Sequence, residues 1–305
     1  MRETSTAEIV QRALRHKTVV PGFNIPYLPM VAPVVRALRD ANSFGLIMVA
    51  RLEWEKFESR SLEAVAAEYR AQADRRHTRL HLDHVPVIDE DNLAVDFAGI
   101  IERALRAGYE SVMVDGSRLP LAENIACTAR VVALAHAAGV PVEAELGAVL
   151  GHEAGPLPPY EELFASGKGF TDPEEARRFV AATGVDWLSV AIGNIHGAIS
   201  AAAKGQKKIA ARLNIAHLAR INRAAGVPLV LHGGTGIAKD CILAAIGHGI
   251  AKINVATAIR QPYEQALARG VAAAQEAVYA AMRAILRDEL EIENSAAILK
   301  PEEGT

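Results

Sequence analysis

Hydrophobic and polar positions along the chain follow two rhythms in alternation. Short runs rich in β-branched residues recur as VVPGFNI (19–25), GLIMVAR (45–51), TRLHLDH (78–84), SVMVDGS (111–117), PVEAELG (141–147), WLSVAIG (187–193), PLVLHGG (228–234) and AKINVAT (251–257). Several are continuously apolar, as strands covered on both faces require. Between them lie longer segments whose apolar residues return every three or four positions, such as LAENIACTARVVALAHAAG, which ends on Gly139. The segment TDPEEARRFVAATG opens with Thr–Asp, places Pro173 at an early helical position and stops on a glycine. Strands alternating with helices predict parallel βαβ units, and eight such units in about 250 residues match a (β/α)8 TIM barrel. A doubly wound open sheet is the alternative, but GFNIP stands after the first strand where that fold would carry GxGxxG.

No Pro-, Gly- or Ser-rich linker divides the sequence, so residues 1–305 read as one α/β barrel domain with a helical C-terminal extension from about Gln261. The interval GHEAGPLPPYEELFASGKG (151–169) is too long for a plain strand-to-helix connection and reads as a mobile active-site loop. The apolar positions of residues 261–294 suit packing on the chain's own barrel or on a second subunit, and the expected assembly is a homo-oligomer, dimer or tetramer.

Composition narrows the function classes. Half the residues are apolar but only 5% are aromatic, so the core is aliphatic. With 33 Lys plus Arg against 36 Asp plus Glu, the net charge of −3 gives no footprint for nucleic acid or a membrane surface. Cys127 and Cys241 lie far apart without metal-like spacing and read as reduced thiols of a cytoplasmic protein. The N-terminal MRETSTAEIVQRALRHK has no apolar signal core, and VAAAQEAVYAAMRAIL is interrupted by Gln275, Glu276 and Arg283, so it is not a membrane span.

In a barrel, chemistry occurs where the strands end. Strand three ends in Asp83–His84, strand four in Asp115 and strand five in Glu145. His196 follows strand six, His232 closes strand seven, and strand eight carries Asn254 and Thr257. Any one of these is ordinarily just a polar strand end, but their agreement on one rim goes beyond that, and the opposite strand ends are expected to carry nothing comparable. Three histidines from separate strands with an open fourth position suit a catalytic zinc ion, so His84, His196 and His232 are the candidate ligands. The carboxylates at the same rim would orient the histidines, hold a second ion or shuttle protons. His81 shares a strand face with Asp83 and not with His84, which gives it a supporting or packing role. His16, His77, His136, His217 and His248 read as ordinary surface or packing residues, and His152 falls in the 151–169 interval. Glycines flank the later histidines in IGNIHG and LHGGTG. They serve either tight turns or, with the hydroxyls of Thr235 and Thr257, a phosphate nest in the loops after strands seven and eight.

HLDH (81–84), SVMVDGS, VEAELG (142–147), SVAIGNIHG (189–197), PLVLHGGTG (228–236) and KINVAT (252–257) occur in an order that resembles the class II, metal-dependent fructose- and tagatose-bisphosphate aldolases, from about Gly22 to beyond Arg260. The resemblance implies one catalytic Zn2+ on His84, His196 and His232, with Glu145 as an outer or alternative-metal carboxylate, Asp115 nearby, and a second divalent or monovalent cation. It implies Asp83 as the acid/base at the substrate's C4 hydroxyl and Glu153, eight residues beyond Glu145, as the loop acid that exchanges a proton with the ene-diolate. Gly197, Gly233, Thr235, Asn254 and Thr257 match positions that grip phosphate and the triose portion, and Arg260 would serve a distal phosphate. The implied enzyme is a lyase of glycolysis and carbohydrate metabolism, cleaving a phosphorylated ketose reversibly to dihydroxyacetone phosphate and an aldehyde. Two alternatives stand beside it: a related metal-dependent lyase or isomerase acting on a different sugar or sugar acid, and a catalytically silent barrel kept for binding. The sequence departs from the family around the substrate. Arg51, Leu52, Glu53 and Trp54 replace small or hydroxyl residues after strand two, VPVIDEDNLAVDF lengthens the loop after His84, and Ala198, Ile199 and Ser200 stand where a lysine is common, leaving only the more distant Lys204. Strand eight continues through Ala256, which resembles the tagatose type, but Ala258 replaces an acid common to both types. The expectation is a pocket reshaped for an aldehyde other than glyceraldehyde 3-phosphate.

Overall fold

Strands Val20–Asn24 (β1), Gly45–Ala50 (β2), Thr78–Pro86 (β3), Ser111–Asp115 (β4), Val142–Leu146 (β5), Trp187–Val190 (β6), Leu229–Leu231 (β7) and Ile250–Val255 (β8) pair in chain order as a closed parallel barrel. The computed structural model describes residues 3–147, 160–194, 211–234 and 236–300. Each run read as a strand is one, mostly trimmed at its ends. β1 closes the ring on β8, with Gly22 opposite Asn254. Gly22 is needed there, because a Cβ at this position would lie 2.2 Å from Met48 Sδ.

Helices Val31–Asp40 (α2), Leu62–Gln72 (α4), Phe97–Arg106 (α5), Leu121–Ala137 (α6), Pro173–Thr183 (α8), Ile215–Ala225 (α9) and Lys239–Gly247 (α10) surround the barrel. Their ends follow from local chemistry. Asp172 accepts the Glu174 and Glu175 amides at the start of α8 and Gly184 closes it at φ +68°, while Asn214 caps α9. The outward side chains of the strands (Val112, Val114, Val142, Ala144) and the inner faces of these helices form the main aliphatic core.

Inside the barrel the packing changes with height. The first helix, Thr6–His16 (α1), lies across the N-terminal opening, and Ile9, Val10 and Ala13 pack with Phe44, Leu46, Trp187 and Val230. The opposite strand ends, expected to carry nothing comparable to the rim's histidines and acids, do bury one charge. Buried Arg79 pairs there with Glu3 at 2.6 Å and Glu110 at 3.2 Å, because a charge forced under α1 needs partners. Above this floor the interior becomes polar, and that layer carries the site.

Two further segments bear on the sequence reading. Residues Tyr160–Ser166 form a helix (α7) within the interval expected to be a mobile loop, and Glu161 on it pairs with Arg212. Beyond β8, Thr257–Ala266 (α11) and Val271–Ala284 (α12) follow, and α12 packs on the chain's own α2. Arg36 pairs with Glu276 at 2.8 Å and sits 3.9 Å over the Tyr279 ring, and Gln275 donates to the Pro29 carbonyl. Among the described residues, no helix is long and apolar enough to cross a membrane.

Candidate active site

β3 carries an irregularity that decides where two side chains point. Leu82 pairs with Val112 of β4 and Val85 with Val114, so Asp83 and His84 together face the single residue Met113. This is a bulge, and it places His84 at φ +30°, a backbone conformation rare for a residue with a side chain. Strict alternation would send Asp83 and His84 to opposite faces. The bulge instead brings both to the rim, where ligand atoms of Asp83, His84 and His232 lie within 4.8 Å of one another.

Both oxygens of Asp83 are engaged. Asn24 of β1 donates to Oδ2 and Asn254 of β8 to Oδ1, each at 2.9 Å. Burial alone would raise its pKa, but the neighbouring His84, Lys252 and His232 outweigh that and hold it well below the usual carboxylate range. Asp83 is therefore an ionised acceptor held by two amides.

His84 and His232 meet edge to face with ring centres 4.5 Å apart, and both rings are held by carboxylates. His84 Nδ1 lies 3.3 Å from Asp115 Oδ2, and Asp115 is fixed in turn by the Ser117 amide at 3.0 Å and hydroxyl at 2.6 Å. His232 Nε2 lies 2.8 Å from Glu143 Oε1, and its Nδ1 is 3.0 Å from Glu145 Oε2. Glu145 also accepts from Ser189 at 3.3 Å. Burial would lower the pKa of His84, but Asp83, Asp115 and Glu145 push it up to about 10. His232 is also raised, since its hydrogen bonds to Glu143 and Glu145 overcome burial and the charge of His84.

Below the rim, Lys252 Nζ sits 2.8 Å from Glu143 Oε2, and both side chains are fully buried. Burial would raise the Glu143 pKa, but this ammonium and the His232 bond hold it down at about 2. His81 hydrogen-bonds Ser111 at 2.8 Å and lies 3.7 Å from Glu143; burial beside Lys252 lowers its pKa to about 3, so it is neutral. That is the supporting position expected of it.

One further acid enters from the helix Arg51–Lys56 (α3) that follows β2. Glu53 accepts the Ala50 amide at 2.8 Å and lies 3.4 Å from the same Asn24 amide that serves Asp83. Burial pushes its pKa up to about 8. Arg51 does not extend the strand: it opens α3 and pairs with Glu55 at 2.8 Å and Asp89 at 3.5 Å. The lengthened loop after His84 is a small hairpin with Ile88 bridged to Ala94, and its turn is held by Asp89, which accepts the amides of Asp91 and Leu93. Lys56–Glu90 at 2.8 Å pins α3 to the hairpin a second time.

Acids outnumber fixed cations here. Asp83, Asp115, Glu143 and Glu145 face Lys252 and the two imidazoles, and the rings are held at carboxylates as metal-ligating histidines usually are. The donor set fits a divalent ion of the zinc type.

His196, Glu153, Gly197 and Thr235 lie outside the described residues. Gly233 directly follows His232 at φ +68°, and Thr257 opens α11. Asn254 is on Asp83, a contact that the sequence did not indicate. Arg260 makes two 2.7 Å bonds to Glu264 and lies 5.3 Å over the Phe57 ring. The sequence reading missed Asn24, Glu143 and Lys252 as parts of the site. Glu143 and Lys252 stand two positions before Glu145 and Asn254, hence on the same inward face, and period-two counting of polar residues inside apolar runs would have found them. His152 also lies outside the described residues; among the others, His77 pairs with Asp74, His136 with Asp186, and His217 bonds the Thr171 carbonyl.

Known proteins resemble this chain in sequence and in fold. The profile of the class-II fructose-bisphosphate aldolase family matches residues 4–298. The fructose-bisphosphate aldolase of Geobacillus stearothermophilus is 35% identical over 256 residues, covering 83% of this chain and 80% of that protein. The crystal structure of the YdjI aldolase from Escherichia coli K12 superposes with a TM-score of 0.75 at 26% identity, covering 96% of this chain and 99% of that one. Fructose-bisphosphate aldolase (Fba) of Campylobacter jejuni, at 16% identity and a TM-score of 0.71 over 95% of this chain and 96% of that one, shares the fold.

Proposed function

The chain belongs to the class II fructose-bisphosphate aldolase family and is a lyase, and from that premise we propose that it cleaves a ketose bisphosphate, fructose or tagatose 1,6-bisphosphate, in a zinc-dependent retro-aldol reaction. The observation that carries this reading is the Asp83 carboxyl group, gripped on both oxygens by Asn24 and Asn254, beside the edge-to-face rings of His84 and His232.

Zinc held by His84, His196 and His232 would polarise the ketose C2 carbonyl and offset the negative charge that cleavage leaves on the triose portion. The chain's own residues do the rest. Asp83 takes the proton of the C4 hydroxyl as the C3–C4 bond breaks, so that C4 leaves as the aldehyde carbon and the bonding pair stays on C3. Its two amide donors keep the carboxylate oriented for that transfer. Glu153 returns a proton to C3, giving dihydroxyacetone phosphate. Asp115, Glu143 and Glu145 hold the rings; Glu145 or Asp115 would also take a second cation. Gly197, Gly233, Thr235 and Thr257 would cradle the phosphate of the triose half, with Asn254 beside it and Arg260 toward a distal phosphate. Free thiols at Cys127 and Cys241 fit a cytoplasmic enzyme of carbohydrate metabolism, glycolytic if fructose 1,6-bisphosphate is the substrate. A dimer or tetramer is the expected assembly.

A second reading concerns the aldehyde alone. The hairpin pinned to α3 by Arg51 and Lys56 is an added wall at the β2–β3 rim, next to Asp83, and favours an aldehyde other than glyceraldehyde 3-phosphate, as a related lyase or isomerase would handle.

The test strips metal with chelator and follows triose-phosphate release from both bisphosphates as zinc is returned. Zinc-restored cleavage of either sugar supports the proposal and the rate ratio ranks the two. A zinc-loaded enzyme inert toward both removes the substrate assignment.

A further inference from the structure

Beneath Asp83 and His232 the barrel holds one fully buried ammonium, that of Lys252 on β8, which the reaction as described does not use. It has two partners. Its Nζ donates to Asn254 Oδ1 at 2.6 Å and lies 2.8 Å from Glu143 Oε2. Each partner leads to a different half of the site. The amide nitrogen of Asn254 donates to Asp83 Oδ1 at 2.9 Å, and the other oxygen of Glu143 is 2.8 Å from His232 Nε2.

Both partners have two ends that are chemically opposite. An asparagine amide presents a donor on one side and an acceptor on the other, and a neutral imidazole carries its proton on one nitrogen only. A cation on Asn254 Oδ1 commits the NH2 end to Asp83; the flipped amide would set a carbonyl against a carboxylate and an NH2 against an ammonium. His232 has a carboxylate at each nitrogen, Glu143 2.8 Å from Nε2 and Glu145 3.0 Å from Nδ1; with an ion at the rim, the proton stays on Nε2 against Glu143 and Nδ1 is left to coordinate. Lys252 stands where both commitments are made.

We propose that Lys252 is a positioning residue that orients the two halves of the site together, Asp83 through Asn254 and the ligating nitrogen of His232 through Glu143. The inference rests on the roles of Asp83 and His232 given above.

Three variants of the full-length, zinc-loaded protein test this, read by zinc affinity in chelator competition and by the ratio of sugar-bisphosphate cleavage to solvent-deuterium exchange into dihydroxyacetone phosphate. That exchange needs the metal side of the site but no carbon–carbon cleavage. Asn254→Ala should lower the ratio while leaving zinc affinity intact. Glu143→Gln should weaken zinc about 10- to 100-fold, the usual effect of losing a carboxylate behind a ligating histidine. Lys252→Met should do both. Wild-type zinc affinity in Lys252→Met, or an unchanged ratio, overturns the proposal. If the single variant does not fold because Glu143 is left unpaired, Lys252→Met/Glu143→Gln removes both charges; it should show the same two losses, and wild-type behaviour in either readout is again contradictory. Failure of the underlying reading looks different: the wild-type enzyme itself would cleave neither bisphosphate, while the zinc-affinity comparison would still decide whether Lys252 acts on His232.

Discussion

Asp83 and Glu53 are two carboxyl groups attached to one amide, that of Asn24, and their charged neighbours leave them in opposite states. Asp83 has cationic neighbours and stays ionised. Glu53 has the Ala50 amide but no such neighbour close enough to outweigh burial and the charge of Asp83, so it keeps its proton to about pH 8. This has a consequence for stability. Between the ordinary glutamate value of 4.5 and about 8, the folded chain holds a proton that the unfolded chain has released, so stability falls as pH rises through that window. Glu53→Gln never ionises. It should therefore gain on wild type between pH 5 and pH 9, by on the order of a few kcal/mol at about 1.4 per pKa unit. Urea midpoints of the two proteins at both pH values check this; a difference that does not change with pH would refute it. At this scale the sequence was readable in part. Asp83, His84 and His232 announce themselves because polar residues at strand ends are conspicuous. Asn24, Glu143 and Lys252 are hidden because they interrupt apolar runs singly, and their meaning depends on neighbours across the barrel.

At the scale of elements, the bulge in β3 and the hairpin after it shape the site. The bulge could not be read from HLDH, since it is a property of the register between β3 and β4 and not of β3 alone. The hairpin was visible as extra length; its attachment was not. Arg51 and Lys56, the two ends of α3, meet Asp89 and Glu90, so the β2–α3 corner and the hairpin behave as one wall. Arg51→Ala removes one of these two pins. It should change the relative kcat/KM for short and long aldehydes in the condensation direction while leaving zinc affinity at the wild-type level. An unchanged preference across an aldehyde series would exclude a role for this wall in specificity. The helix at Tyr160–Ser166 makes the same point in reverse. Its glycine- and proline-rich surroundings suggested only a loop, yet YEELF has an acidic first turn and an aromatic to pack, and it folds.

Across the whole molecule the architecture was the most legible feature, because eight buried parallel strands alternating with amphipathic helices admit few closed arrangements. What the periodicity could not supply is vertical order within the barrel. From α1 upward the interior passes from the apolar floor of Ile9, Phe44 and Trp187 to the polar layer of His81, Glu143 and Lys252, and then to the rim of Asp83, Glu145 and His232. The floor closes one end, the middle layer lies under the rim side chains, and in the proposed reaction the rim would meet the substrate. The C-terminal helices, compatible with two packings in the sequence, rest on α2 of the same chain. On this reading, metal binding and proton transfer are separate duties carried by different residues of one rim. The most direct test is zinc content measured alongside ketose-bisphosphate cleavage in Asp83→Ala. The account predicts a variant that keeps its zinc and loses cleavage by roughly 100- to 10,000-fold, the span usual for a general acid–base residue. Cleavage at the wild-type rate by a zinc-loaded Asp83→Ala enzyme would contradict it.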